Sequence, residues 1–187
     1  MESLNKCRTG NAFGEFTDIR DDQKYRTVKI GSQVWMAENL NFKIDGSWCY
    51  DDDEVNGKIY GMLYTWDAAM AACPVGWHLP TRDEWKAMLE AVGGWEVAGK
   101  HLKSKTGWLA DYEIKNLDTY GFSALPGGSR NTGGSFITAG LYGHWWTATK
   151  NGNDDAYGRS MYYRDGRVYE GVEDVSAGLS VRCVMED

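Results

Sequence analysis

Cysteines have the widest chemical repertoire of the side chains in this sequence, because a thiolate can bind metal, attack an electrophile or form a disulfide. The chain has four of them, none in a Cys-x-x-Cys pair: Cys7, Cys49, Cys73 and Cys183. Zinc sites usually draw their ligands from closely spaced pairs, so this spacing does not indicate zinc. Disulfides in an oxidising compartment fit better, although four cysteines allow three connectivities.

Histidines are the next candidates, because imidazole titrates near neutral pH and can act as a base or a metal ligand. His101 and His144 have no cysteine, serine or carboxylate at a spacing typical of a nucleophile and its base. His78 lies in the link Trp77-His78-Leu79, where a structural histidine is the ordinary role. We therefore predict no catalytic residue, no metal site and no enzymatic activity.

Four consecutive acidic residues at 51–54 offer the oxygen ligands that calcium prefers. The D-x-D-x-D-G spacing of an EF-hand loop is absent, so a solvated acidic loop is the better interpretation. We predict no cofactor, and a structural calcium ion would have no motif to support it.

The segment from Gly140 to Gly178 has the composition of a recognition surface, since tyrosines alternate with asparagine, aspartate and glycine. Tyrosine gives a large contact area at a low cost in conformational entropy. Successive side chains of a strand point to opposite faces of the sheet, so Tyr162 should lie on one face. The other face should carry Tyr157, Arg159, Met161 and Tyr163. The predicted ligand-binding residues are Tyr142, His144, Tyr157, Arg159, Tyr162, Tyr163, Tyr169 and Glu170.

Length, charge and hydrophobicity limit the possible partners. The 187 residues suit one domain. A net charge of -7 without a cluster of lysine or arginine argues against nucleic acid, because phosphate binding needs a basic patch. No apolar run approaches the roughly 20 residues that span a bilayer, so we expect no membrane insertion. Residues 1–10 lack the apolar core of a signal peptide, which leaves an intracellular or virion location or a removed export signal.

Two helices should meet at the stretch from Cys73 to Trp85. Pro74 ends the first helix near Cys73, because proline has no amide hydrogen to continue it. The pattern Thr81-Arg82-Asp83-Glu84 is a capping box that begins the second. Its apolar stripe is Trp85, Met88, Leu89 and Val92, and it should end at Gly93-Gly94. A third, short helix is predicted at 97–103.

The remaining pattern favours short strands and long loops. A hairpin is predicted from 25–30 and 33–36, and further strands at 145–149, 157–163 and 179–184. Asp165-Gly166 should make a tight type I′ turn to Val168-Tyr169.

Residues 1–16 are interpreted as a tail or linker before a domain at 17–187. Residues 39–58 and 111–141 have no clear periodicity, and the second stretch should be held down by Phe122, Leu125 and Phe136.

Several of these motifs occur in the order in which they appear in the FISUMP domain, the Fibrobacter succinogenes major paralogous domain, which is common in Bacteroidetes-type bacteria. The chain resembles this family from residue 16 onward through Val28-Lys29-Ile30-Gly31, Trp35-Met36-Ala37-Glu38-Asn39-Leu40, Tyr60-Gly61, Leu63-Tyr64-Thr65-Trp66-Asp67-Ala68-Ala69, Cys73-Pro74, Gly76-Trp77-His78-Leu79-Pro80, Gly121-Phe122-Ser123-Ala124-Leu125-Pro126-Gly127-Gly128, Trp145-Trp146-Thr147-Ala148-Thr149 and Ser180-Val181-Arg182-Cys183-Val184. That family is similar to the C-type lectin-like fold and to formylglycine-generating enzymes. The resemblance implies an α+β fold with two main helices on small twisted antiparallel sheets and long loop regions.

The resemblance also implies a disulfide between Cys73 and Cys183, since lectin-like domains join the end of the first helix to the last strand. The family often has a partner for Cys49 shortly before the Tyr60-Gly61 position, where this chain has Gly57. Cys49 is therefore expected to be free or paired with Cys7.

The sequence lacks the motifs that carry the known activities of similar proteins. Formylglycine-generating enzymes bind copper through two cysteines, one in a strand that resembles Ser180-Val181-Arg182-Cys183 and one five residues earlier, where this chain has Gly178. One thiolate cannot replace two for a soft metal. The Glu-Pro-Asn, Gln-Pro-Asp and Trp-Asn-Asp motifs of calcium-dependent sugar binding are also absent.

We therefore predict a non-catalytic binding module, secreted or displayed on a bacterial surface, that recognises a glycan or protein ligand through the tyrosine-rich segment. The second hypothesis is a retroelement-diversified receptor-binding protein of a phage or bacterium with the same segment as its variable part. The third is an enzyme of the formylglycine-generating branch.

Overall fold

The computed structural model describes residues 13–110 and 115–186. Its helices in those residues are α1 (Glu54–Tyr60), α2 (Trp66–Ala72), α3 (Arg82–Ala91) and α4 (Trp95–Leu102). Its strands there are β1 (Phe13–Asp18), β2 (Gln23–Ile30), β3 (Gln33–Met36), β4 (Ser47–Trp48), β5 (Leu63–Tyr64), β6 (Trp77–His78), β7 (Ser129–Arg130), β8 (Phe136–Ile137), β9 (Tyr142–Lys150), β10 (Asp155–Tyr162), β11 (Tyr169–Asp174), β12 (Leu179–Ser180) and β13 (Val184–Met185). The predicted α+β class, with small antiparallel sheets and long loops, is confirmed.

The first sheet joins both ends of the described chain in the order β1-β2-β3-β13-β6. The predicted hairpin is present as β2 and β3, with Val28 opposite Trp35 and both side chains fully buried. Val184 of β13 pairs with Trp35 on one side and with His78 on the other. The N-terminal and C-terminal strands of the described residues therefore lie in one sheet.

The second sheet has the order β11-β10-β9-β12-β5-β4 and carries the tyrosine-rich segment in its first three strands. These strands pair antiparallel, whereas β12 and β9 meet in a single parallel bridge. Strands β7 and β8 form a separate two-stranded sheet inside the predicted long loop. The second sheet separates two apolar cores, one containing Trp146 and α2, the other containing Trp145 and α3.

The junction between α2 and α3 is organised as the sequence predicts. Helix α2 ends at Ala72, and Thr81 and Glu84 make both hydrogen bonds of the capping box. His78 contacts the same carboxylate, with 2.7 Å between its Nε2 and Glu84 Oε1, which is a structural role. Cys73 forms the implied disulfide with Cys183, closing 110 residues of chain.

Arg182 is the polar centre of the core and is fully buried. Its Nη2 donates to Asn39 Oδ1 at 2.8 Å, and its Nη1 donates to the carbonyl oxygens of Met36 and Phe122. Asn39 Oδ1 also accepts from Trp145 Nε1 at 2.9 Å. This network connects the first sheet, the second sheet and the loop that contains Phe122.

Three boundaries differ from the expectations. The chain joins the first sheet at Phe13, four residues before the predicted start of the domain, because β1 pairs with β2 through six register positions. Residues 39–58 contain the start of α1, whose N-terminal amide at Val55 is capped by the Asp53 carboxylate. The stretch 179–184 is divided between β12 and β13, and all six residues are buried because the chain crosses from one sheet to the other.

Cys49 is not in a disulfide within residues 13–110 and 115–186, and Cys7 lies outside those residues. A Cβ atom at Gly57 would lie 3.6 Å from Cys49 Cβ, which is within the range of a disulfide. Position 57 is therefore the place where the partner cysteine implied by the resemblance would fit. Burial raises the pKa of the Cys49 thiol.

Among the residues that the structure describes, no helix is both long and apolar enough to cross a membrane.

Candidate functional site

The tyrosine-rich segment folds into β9, β10 and β11, so the predicted strands at 145–149 and 157–163 are confirmed. Trp145, Trp146, Ala156 and Met161 are fully buried and anchor these strands to the two cores. The segment is therefore a rigid platform on which polar and aromatic side chains project to both sides.

The prediction of a type I′ turn at Asp165-Gly166 is wrong. Neither residue has a positive φ, and the connection from β10 to β11 runs over the six residues 163–168. The buried Lys103 accounts for the longer path, because its Nζ donates to the carbonyl oxygens of Tyr162 and Asp165 at 2.9 and 2.7 Å. The backbone of the connection also bonds α4, with Lys100 N donating to Gly166 O at 3.1 Å.

The strand register divides the predicted site between two sides of the sheet. Arg159 and Glu170 are opposite each other on the side that faces α3 and α4, and Tyr157 shares that side. Tyr142 and His144 are opposite Tyr162 and Ser160 on the other side. One continuous surface containing all eight residues is therefore not formed.

A groove of about 540 Å³ lies between α3 and β11, and we call it the Arg82 groove. It is lined by Arg82, Asp83, Lys86, Leu89, Glu90, Gly94, Trp95, Arg159, Val168, Tyr169 and Glu170. Three of the predicted residues, Arg159, Tyr169 and Glu170, are among them. Volumes of 300–1,000 Å³ are typical of pockets for small ligands.

The Glu170 carboxylate is shared by two arginines at the wall of this groove. Arg82 Nε donates to Glu170 Oε2 at 2.8 Å and its Nη2 bonds Oε1, which makes a bidentate pair. Arg159 Nη2 lies 2.6 Å from Glu170 Oε2. The hydrogen bonds from Arg82 lower the pKa of Glu170, and burial lowers the pKa of Arg159. The arrangement holds an ionised carboxylate between two guanidinium groups.

Aromatic side chains complete the groove. Trp95 begins α4 and is 50% exposed, which is unusual for tryptophan in a domain of this size. Arg82 also lies over Tyr157, with 4.3 Å between its Cζ and the ring centroid. Tyr169 borders the groove through its backbone position on β11, but its cross-strand partner Ser160 places its ring on the other side of the sheet, where its hydroxyl donates to Asp165 Oδ2.

Sequence reasoning missed Arg82 and Lys86 because it assigned them to the second predicted helix, and it gave no role to Trp95, which lies between the second and third predicted helices. Arg82 is part of the capping-box motif, and Lys86 follows it by one helical turn on α3. An unexplained tryptophan directly after Gly93-Gly94 was the available signal, since a tryptophan outside the apolar stripe of α3 has no predicted place in the core.

On the other side of the sheet, three rings form what we call the tyrosine stack. The Tyr142 and Tyr162 centroids lie 4.5 Å apart, and His144 stacks on Tyr142 at 5.4 Å. Tyr163 is buried, and its ring meets Tyr162 edge-on at 4.8 Å. Burial lowers the pKa of His144 to about 4, so this imidazole is neutral near pH 7.

The residues that could hold a metal do not converge in the described part of the chain. There, no three side chains of histidine, cysteine, aspartate or glutamate are grouped as metal ligands. In the acidic run, Asp53 caps α1, and Asp51 and Asp52 adopt left-handed backbone conformations. No arrangement in the described residues identifies a site for the structural calcium considered above.

Comparison with known protein families gives one match that covers most of the fold. The model of the Fibrobacter succinogenes major domain matches residues 28–185. The chain belongs to the Fibrobacter succinogenes major domain family. No curated protein and no solved structure matches the chain. The matched range begins within β2 and contains β3 through β13, and with them the Arg82 groove, the tyrosine stack and both cysteines of the disulfide.

Proposed function

We propose that this Fibrobacter succinogenes major domain is a non-catalytic binding domain of a secreted or surface-displayed bacterial protein, and that it binds a glycan in the Arg82 groove. The observation that carries the proposal is the groove itself, a concave volume of about 540 Å³ with a half-exposed tryptophan and a preorganised Arg–Glu–Arg arrangement.

The size of the groove favours a glycan over a folded protein partner. Stable protein interfaces bury about 800 Å² on each side, whereas small-ligand sites are concave and occupy a few hundred cubic ångströms. Trp95 offers an apolar ring surface, and Lys86, Arg82 and Glu170 offer donors and an acceptor at the same wall. This combination suits a ligand that has both apolar faces and many hydroxyl groups.

The chemistry of the groove supports binding rather than catalysis. A general acid needs a pKa near the working pH, but Arg82 holds the pKa of Glu170 below its ordinary value. Cys183 is buried and bonded to Cys73, so its sulfur is not a free thiolate for copper in the manner of formylglycine-generating enzymes.

The disulfide also supports a location outside the cytosol. Disulfides persist in secreted, periplasmic and surface proteins and are rare where thiols are kept reduced. We infer that the domain acts in such an oxidising compartment.

A glycan array tests the proposal with the intact domain. We expect binding to one class of glycan, and loss of about tenfold or more in affinity for Trp95→Ala, which removes ring surface from the groove, and for Lys86→Ala, which removes a donor from it. Phe13→Ala is the matched control, since Phe13 is an exposed aromatic residue outside the groove. An array without binding, or binding that both groove substitutions leave unchanged, would contradict the proposal.

The tyrosine stack favours a second candidate, a protein ligand bound by a retroelement-diversified segment. Tyrosines with half-exposed edges are common at the energetic centres of protein interfaces. This candidate predicts that sequences from sister isolates vary mainly at Tyr142, His144 and Tyr162. Variation spread evenly over the chain would argue against it.

A further inference from the structure

The side of the second sheet that carries the tyrosine stack has a gap in its side chains. Gly158 of β10 and Gly171 of β11 are opposite each other in the strand register, so no side chain covers the backbone there. A Cβ atom at Gly171 would meet nothing within 4 Å beyond its chain neighbours, so the space above this strand is open. The two glycines are the floor of a small hollow, which we call the glycine depression.

Three polar side chains line the glycine depression, namely His144, Ser160 and Glu173. His144 and Ser160 are cross-strand partners on β9 and β10. The Glu173 side chain leans over the floor, because a Cβ atom at Gly158 would lie 4.0 Å from its Cγ. An imidazole, a hydroxyl and a carboxylate therefore border one hollow.

None of these three side chains uses its hydrogen-bonding capacity within the protein. In residues 13–110 and 115–186, the His144 ring, the Ser160 hydroxyl and the Glu173 carboxylate make no hydrogen bond or ion pair. None of their polar atoms is among the fully buried ones that lack a partner, so they are open to solvent. Partial burial raises the pKa of Glu173 and lowers that of His144, which is neutral near pH 7 and can accept a hydrogen bond.

The charge and the size of the glycine depression limit what can enter it. Arg159 borders it only through the backbone, because the Arg159 guanidinium lies on the opposite side of the sheet and pairs with Glu170. The Glu173 charge is therefore not matched by a cation of the described residues. The hollow has a volume of about 10 Å³, which is room for one water-sized group. An ammonium group has that size and donates three hydrogen bonds, whereas a guanidinium or a sugar ring needs more room.

We propose that the glycine depression binds the ammonium group of a lysine side chain that a protein partner presents. Glu173 supplies the opposite charge, and His144 and Ser160 accept the other hydrogen bonds. His144 stacks on Tyr142, so the tyrosine stack borders the depression and offers ring surface to the aliphatic stem of the lysine. The net charge of -7 favours the approach of a basic partner. The inference rests on the second candidate function, a protein ligand at the tyrosine stack, and is independent of the Arg82 groove.

A nuclear magnetic resonance titration of the intact domain tests this site with N-acetyl-lysine methylamide as the probe. The reporters are the carboxylate carbon of Glu173 and the Cε1–H group of His144. We expect both resonances to shift saturably, and the pKa of Glu173 to fall in the complex, because a bound cation favours the ionised carboxylate. N-acetyl-norleucine methylamide, which has an aliphatic stem without the charge, should give no saturable shift of Glu173.

Two variants separate the charge of the site from its space, with His144 as the reporter. Glu173→Gln should weaken binding of the lysine probe about tenfold, because an amide has no charge to pair with the ammonium group. Glu15→Gln is the matched control, at a carboxylate of β1 that pairs with Lys24, and should not change the affinity. Gly171→Ala should also weaken binding about tenfold, since its methyl group occupies the open space while meeting no other side chain.

Each alternative occupant has its own result. A Glu173 resonance that does not move, or that moves equally with the norleucine probe, would overturn the site. Equal affinity for N-acetyl-arginine methylamide would overturn the selectivity for lysine, and equal affinity for glucosamine would overturn the assignment to a protein partner. Unchanged affinity in a folded Gly171→Ala domain would show that the probe binds elsewhere and would overturn the site as well.

These results are separate from those that test the proposed function. Trp95→Ala should leave the lysine titration unchanged whether or not the Arg82 groove binds a glycan. Even variation among sister isolates would contradict a diversified segment and would not alter the titration. The wild-type titrations decide the proposal even if a variant is unstable.

Discussion

Arg182 in the core and Arg82 at the groove are both held by oxygen atoms, but the oxygens differ. Arg182 donates to Asn39 and to backbone carbonyls, with no carboxylate, and is fully buried. Arg82 donates to the Glu170 carboxylate and is largely exposed beside a cavity. Burial lowers the pKa of Arg182 to about 9, so its guanidinium is still charged at neutral pH.

The difference separates a structural use of arginine from a functional one. Carbonyl oxygens of the core cannot move away, so the Arg182 network fixes three parts of the fold to each other. A surface carboxylate can exchange one arginine hydrogen bond for a ligand hydroxyl at little cost, because exposed ion pairs contribute little to stability. Changes in the core should therefore alter stability, and changes in the groove should alter binding.

The largest effect on stability is expected from the disulfide. The double substitution Cys73→Ala and Cys183→Ala opens a loop of 110 residues and should lower the free energy of unfolding by roughly 4 to 5 kcal/mol in the chain-entropy model. Urea unfolding of the oxidised protein and the variant measures this. Cys49→Ala is the control and should change little, because Cys49 is not in a disulfide within the described residues.

Arg182→Met should have the next largest effect. It removes the donor to Asn39 Oδ1 and to two carbonyl oxygens, and buried acceptors that lose a charged donor cost about 3 kcal/mol or more in total. The free energy of unfolding in urea is the measurement. A variant as stable as the wild type would show that the network is not the structural centre of the core.

A smaller, pH-dependent effect is expected at the tyrosine stack. Burial lowers the pKa of His144 to about 4, whereas the unfolded chain takes up this proton near 6.5. The unfolded state thus binds more protons between these values, so stability should fall as the pH decreases from 6.5 to 4.

His144→Gln should reduce that fall by at most about 3 kcal/mol, since the pKa difference of about 2.5 units corresponds to about 1.4 kcal/mol per unit. His101→Gln is the control, at a histidine that bonds Thr119 away from the stack. Equal pH profiles for the wild type and His144→Gln would contradict the assigned environment.

The smallest effect on stability is expected in the groove. Arg82→Gln removes an exposed guanidinium and leaves Glu170 paired with the buried Arg159, so the urea midpoint should hardly change while glycan affinity falls about tenfold. Arg167→Gln is the matched control, at an exposed arginine that pairs with Asp165 outside the groove. A strongly destabilised Arg82→Gln with unchanged binding would reverse the comparison between core and groove.

Local signals were read correctly where neighbouring residues decide the structure. The capping box of Thr81 and Glu84 and the buried stripe of α3 each depend on residues within two helical turns. The hairpin of β2 and β3 depends on a short connection in the same way. Strand β1 was missed because most of its side chains are exposed and show no alternation. Helix α1 was missed because it is short and contains Gly57.

The sequence by itself determined the family, the α+β class, the junction at Cys73 to Trp85 and the set of aromatic residues near the C-terminus. Only the tertiary structure decided how that set is used. Glu170 bonds Arg82, which lies 88 residues away in the chain. Lys103 bonds the carbonyl oxygens of Tyr162 and Asp165, and the connection between β10 and β11 is longer than the expected tight turn. Such contacts depend on how helices pack against the sheet, and composition and periodicity carry no information about that packing.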